Sequence, residues 1–168
     1  MRTRLALLVA LAACGGTAEV PLAPDLAAGG IPPHGASASG AGHFFNTVNN
    51  VQVRDEFSVR SNADGTVDGE YQRVAGAAII HGTITCLTVV GNVARIGGTI
   101  DRAAFTAVGI GSEFLFQVTD VGEGGADDLW SRVAFNQPAG TAATFCETGA
   151  APISLDPVER EGNVQVRE

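Results

Sequence analysis

The chain has 168 residues, 45% of them hydrophobic and 6% aromatic, and its formal net charge is −8. All ten basic residues are arginines and are outnumbered by 18 acidic ones, so no basic stripe is available for nucleic acid or for anionic lipid headgroups. The length fits one domain of ordinary size, large enough to bury a core without a structural metal.

The N-terminus reads as a secretory leader. Arg2 and Arg4 precede an apolar run from Leu5 to Ala13, which is too short to span a bilayer permanently. The run ends in Leu11-Ala12-Ala13-Cys14, which resembles the lipobox of bacterial lipoproteins. That resemblance implies a signal peptide over 1–13, acylation of Cys14, and a protein held on the bacterial cell envelope facing the periplasm or exterior. Plain secretion is the alternative, with a cut after Ala18 that discards Cys14. Residues 14–36 are rich in Pro, Gly and Ala and have no hydrophobic period, so they form the tether.

A single all-β domain is expected over 37–168, because from Ser37 onward the hydrophobic period is two. In 51–60, Val51, Val53, Phe57 and Val59 alternate with polar residues, and only Asp55 breaks the pattern. Asn62-Ala63-Asp64-Gly65 is a turn, and Asp-Gly is a strong hairpin signal. A strand over 66–74 places Val67 and Tyr71 on one face and Asp68, Glu70 and Gln72 on the other. A long strand over 78–90 puts His81 on the face of Ile79 and Leu87, and Gly91-Asn92 turns the chain into a strand over 93–100. Further strands follow over 113–120, 129–135 and 163–167, the second of them grouping Leu129, Val133 and Phe135.

No segment shows a helical stripe. Hairpin after hairpin predicts an antiparallel meander closing as a small β-barrel, with a β-sandwich as the alternative. Gly69, Gly82, Gly97 and Gly98 inside strands predict bulges or bends.

The stretch His81-Gly82-Thr83-Ile84-Thr85-Cys86-Leu87, followed by Gly91-Asn92 and Ile96-Gly97-Gly98, resembles a segment of uncharacterised secreted bacterial β-rich proteins. Glu113 to Gly124 is similar to the next element of that family. The resemblance covers residues 76–136 and implies fold and location, but no activity.

Chemistry is sparse. With Cys14 acylated or removed, Cys86 and Cys146 remain as a pair in an oxidising compartment, and a disulfide is expected between them. No catalytic constellation, cofactor motif or metal-ligand spacing emerges. Mid-strand His81 reads as a structural residue, and Ser112 lacks the flanks of a nucleophile elbow. The acidic loop 120–128, with Asp120, Glu123, Asp127 and Asp128, lacks the ligand spacing of a calcium loop and reads as a solvated turn.

The aromatic residues read as core; a small apolar ligand inside the barrel is the alternative. These features make the chain a non-enzymatic lipoprotein that acts as a binding or structural module. Its partners are the membrane, through acylated Cys14, and an unknown protein or small molecule. The alternatives are a secreted hydrolase with an unrecognised site and a ligand-carrying barrel.

Overall fold

The computed structural model describes residues 35–47, 49–104, 106–122, 128–151, 154–155, 157–158 and 161–168. Cys14, most of the tether, Glu123 and Asp127 lie outside the described residues. The strands are β1 (Ser37–Asn46), β2 (Val51–Ser61), β3 (Val67–Ala75), β4 (Ala78–Val90), β5 (Val93–Ala103), β6 (Glu113–Thr119), β7 (Leu129–Ser131), β8 (Ala134–Gln137), β9 (Pro157–Val158) and β10 (Glu161–Arg167). They form one antiparallel sheet in the order β10-β1-β2-β3-β4-β5-β6-β7-β9, with β8 added to β6. A single sheet with mostly sequential neighbours is the expected meander, and it curls into a barrel-like shape.

Alternation builds the core. Phe57, Tyr71, Phe114, Phe116 and Trp130 are all buried and meet inside the curl. The Phe57 ring lies 5.2 Å from both Phe116 and Trp130, and Tyr71 stacks on Phe114 at 4.9 Å. Edge and offset contacts of this kind are the favoured aromatic geometries. Gly82 makes room for this cluster, because a Cβ there would stand 2.5 Å from the Phe114 ring.

Two irregularities interrupt the β4–β5 ladder, the first with its extra residue in β5 and the second with its extra residue in β4. The register shifts between His81 and Gly82 and again between Ile84 and Cys86. An extra residue in a strand reverses the face of everything that follows. Ile80 and Ile84 therefore point inward before the second shift, and Leu87 and Val89 after it. This corrects the expectation that His81 and Leu87 share a face: His81 faces outward, and Leu87 is core. The segment 129–135 is likewise two short strands rather than one, with Trp130 buried and Leu129 exposed.

The expectation of no helix also fails, because α1 (Thr141–Thr148) packs outside the sheet. Gly140 and Gly149 flank it in the left-handed conformation, and the Gly149 N–H donates to the Phe145 carbonyl at 2.8 Å. The helix carries no acid in its first turn and no base in its last. The sheet supplies both charges. Glu113 of β6 accepts from the Gly140 and Ala142 amides at 2.8 and 2.7 Å, and the Arg95 side chain of β5 lies against Gly149 at the other end. An anion at the N-terminus and a cation at the C-terminus both oppose the helix dipole. Burial pushes the Arg95 guanidinium below its ordinary pKa.

Beneath α1, Phe145 packs with Leu115 and Ala134 in a second, smaller core. Cys146 is joined to Cys86 with their Cα atoms 6.2 Å apart, which fastens the helix to β4. Gly97 allows the close approach, since a Cβ there would meet the Ala142 Cβ at 2.7 Å.

The two ends of the meander meet at a seam that no ladder spans among the described residues. Asp120 and Asp128, which bracket the β6–β7 connection, reach across to β10. Asp128 Oδ2 accepts from the Val164 amide at 2.6 Å, and Asp120 Oδ2 accepts from the Val166 amide at 3.0 Å. Their other oxygens take the Val121 and Gly122 amides at 2.9 and 3.0 Å.

The Cys86–Cys146 bond closes a loop with a sequence separation of 60. In the chain-entropy treatment this is worth about 4 kcal/mol. Denaturant unfolding of the Cys86→Ala/Cys146→Ala double variant is therefore expected to show a loss of a few kcal/mol. Equal midpoints for the variant and the oxidised protein would contradict the assignment.

Candidate functional site

With the interior filled, the candidate site lies on the outer face of β1 to β5. The pairing registers stack polar residues in rows across the strands. One row runs Ser39, Ser58, Glu70, Thr83, Thr99, and the next runs Ala41, Glu56, Gln72, His81, Arg102. Neighbouring strands are ~4.8 Å apart, so each row offers hydrogen-bonding groups at that spacing.

Two depressions lie along these rows. The first, of about 420 Å³, is walled by Glu56, Glu70, Gln72, His81, Thr83 and Asp101. The second, of about 490 Å³, runs from Ser37 and Ser39 to Arg60 and Asp68. Both include Ser58 and Glu70, so they adjoin as one trough across β1 to β5.

The bulges bring the trough together. The shift at His81/Gly82 pairs Gly82 with Ile100 and His81 with Arg102, leaving Asp101 as the extra residue. Asp101 Oδ2 accepts from Thr83 Oγ1 at 2.8 Å. Glu56 pairs with Arg54, and Arg60 lies 3.9 Å from Asp68. Carboxylates outnumber the arginines that face them, so the trough is acidic. The half-buried His81 imidazole makes no hydrogen bond among the described residues. It is not the hydrogen-bonded structural histidine expected from the strand pattern.

A second polar cluster lies inside the barrel. Asp55, the one break in the β2 alternation, is 0% exposed. Its Oδ1 accepts from Tyr71 Oη and Arg73 Nε, both at 2.7 Å, and its Oδ2 accepts from Arg73 Nη2 at 2.9 Å. Arg73 also lies over the Phe135 ring at 4.9 Å. A buried carboxylate is tolerated only when it is paired and hydrogen-bonded in this way. The cluster is fully engaged with itself and therefore reads as structural. Sequence reasoning registered Asp55 as an irregularity without assigning it a partner.

The residues considered from sequence do not converge. Cys86 and Cys146 sit under α1, away from the trough, while Ser112 donates to its own loop at the Gly109 carbonyl, 2.6 Å away. His43 of β1 pairs with Glu161 of β10 at 3.1 Å. Asp120 and Asp128 each spend both oxygens on backbone amides, which gives them a structural use in place of a solvated turn. Among the described residues, no three His, Cys, Asp or Glu side chains are grouped as a metal ion requires, and no helix is long and apolar enough to cross a membrane. No protein-family model, curated protein or solved structure matches this chain.

Burial pushes the Tyr71 phenol up to about 12, against the opposing pull of the Arg73 guanidinium. The folded state thus favours the neutral phenol. The resulting stability is complete below the unfolded value near 10 and is lost as pH rises toward 12. Tyr71 is the single tyrosine of the chain, so absorbance titration reads it directly. Phenolate is expected to appear only near pH 12, together with unfolding; a reversible titration near pH 10 in the folded protein would contradict the buried network.

Proposed function

We propose that the chain is a non-enzymatic binding module, held on the bacterial envelope by acylated Cys14, whose recognition surface is the polar trough across β1 to β5. The observation that carries this reading is the contrast between the two faces of the sheet. The inner face is consumed by the aromatic core, with rings 4.9 to 6.3 Å apart, which leaves no room for a carried ligand among them. The outer face presents two adjoining depressions lined by hydroxyl, amide, imidazole and carboxylate groups. Such a surface recognises a polar, extended ligand bearing hydrogen-bond donors. It has no aromatic platform of the kind that stacks sugar rings.

Against the hydrolase alternative, among the described residues the His81 imidazole lacks an orienting partner and no nucleophile stands in a relay with it. The leader and the Leu-Ala-Ala-Cys sequence support the tether, and the disulfide suits an oxidising compartment.

Site-specific photocrosslinking in cells tests both parts. A photoreactive residue at Ser58 is expected to capture an envelope component, and one at Glu147 on α1 is not. Glu70→Arg is expected to reduce the Ser58 adduct severalfold, and Cys14→Ser to release the protein from the membrane fraction. Equal capture at Ser58 and Glu147 would remove the trough as the recognition surface. Membrane retention of Cys14→Ser would remove the tether.

A further inference from the structure

We infer that the end of the barrel opposite the tether is a bilayer-contacting tip, formed by the β1–β2, β3–β4 and β5–β6 connections. The first observation is one of charge. Asp, Glu, Lys and Arg make up 17% of the chain, yet residues 44–53, 74–80 and 103–112 contain none of them and no histidine. These stretches are far apart in sequence. The meander brings all three to one end, because each joins an odd-numbered strand to the even-numbered strand that follows it.

The opposite end carries Asp64 and Asp68 beside the β2–β3 turn, Asp120 and Asp128 at the seam, and the terminal Glu168. It also has exposed apolar side chains, Val90, Val121 and Leu129, but these stand among carboxylates. Anionic headgroups repel that end and leave the three uncharged connections to approach a membrane; the Glu161–His43 pair at the start of β10 is set back from them along β1.

The second observation is apolar exposure at the tip, where Phe45 is 58% and Ile110 67% exposed. The Ile110 loop is held in place by Asn136, whose Oδ1 accepts from the Gly109 amide at 2.8 Å and whose Nδ2 donates to the Ala107 carbonyl at 2.7 Å. Exposed positions in the connections themselves, including Ala77, Ala104 and Thr106, are small or neutral, while exposed Asp101 and Arg102 stand behind them at the end of β5. Such connections meet the headgroup boundary with neutral side chains foremost.

A second copy is a poorer occupant. Two large side chains expose roughly 250 Å², well short of the ~800 Å² per partner that a stable dimer buries.

The third observation is reach, and it rests on the tether reading. The segment between Cys14 and Gly35 extends at most ~70 Å. The longest strand, β4, has 13 residues and runs roughly 43 Å. A chain acylated at Cys14 and entering the sheet at the acidic end can therefore lay its far tip on the same bilayer. The domain would then lie on the membrane with its trough facing sideways.

The test uses the full acylated chain carrying Phe45→Trp, mixed with phosphatidylcholine vesicles with and without brominated acyl chains. Flotation reads the tether, and quenching reads the tip. After subtraction of the emission of the unaltered chain, which comes from buried Trp130, the emission added by Phe45→Trp is expected to shift to the blue on vesicles and to fall at least twofold with brominated lipid. Adding Ile110→Ser is expected to reduce that quenching severalfold, while Val90→Trp at the acidic end stays unquenched. A chain that floats with its Trp at position 45 in water and unquenched would overturn the tip and leave the tether standing. A blue shift that grows with protein concentration in the absence of vesicles would also overturn it, in favour of a second copy. Neither flotation nor quenching would overturn both.

Discussion

Two carboxylates hold this barrel shut. A curled sheet has two edges, and unless something pairs them each leaves backbone amides unsatisfied. On β10 the amides of Val164 and Val166 point away from β1, and Asp128 and Asp120 receive them. Asp128 is only 6% exposed, so its hydrogen bonds form in a setting where an ionised acceptor is strong and an orphaned amide is costly. Because β10 pairs with β1 along almost its whole length, the grip on β10 also fixes the first strand. Trp130 covers the seam from within, and Gly40 of β1 leaves space for it, since a Cβ there would stand 3.1 Å from the indole. Asn92 ties the β4–β5 turn to the same corner through Asp120, and Glu168 accepts from the Gly91 amide. The acidic residues that looked like solvated loop thus do the work of a missing ladder.

The rest of the molecule divides by face. Inside, the aromatic cluster and the Asp55–Tyr71–Arg73 network fill the curl and satisfy each other, so the interior is structural. Outside, α1 covers β4 to β6 on one side, fastened by the disulfide and by the charges of Glu113 and Arg95 at its two ends. The outer face that α1 leaves open, across β1 to β3 and the adjoining parts of β4 and β5, carries the proposed recognition surface. The acidic trough and the uncharged connections at the tip lie where α1 leaves the barrel open, which is the physical basis for proposing them as the working parts.

Much of the sheet was legible because period-two alternation is a direct record of burial. Strands β2, β3, β5 and β6 appear within a few residues of their expected bounds, and the glycines at 82 and 98 do mark register shifts. Strand β1 was missed because its inward residues include Ala38, Gly40 and Gly42, too small to contrast with their outward neighbours. The face of Leu87 was misread because a bulge has no signature in composition. Helix α1 was missed because eight residues with little amphipathic contrast borrow their caps and charges from the sheet; Gly149 just past its end was the available signal. The trough was illegible for a different reason. Its residues come from separate strands, and only the registers, including the bulge that exposes Asp101, place His81 beside Gln72 and Glu70 beside Thr83.

The most direct measurement of this account is amide hydrogen exchange along β10. If carboxylates close the seam, the Val164 and Val166 amides exchange as slowly as those of the paired strand β6. In Asp128→Asn the Val164 amide then becomes fast while Val118 stays slow. Rapid exchange at Val164 in the unaltered protein, at the rate of an exposed edge strand, would contradict the closure on which the rest of the structure depends.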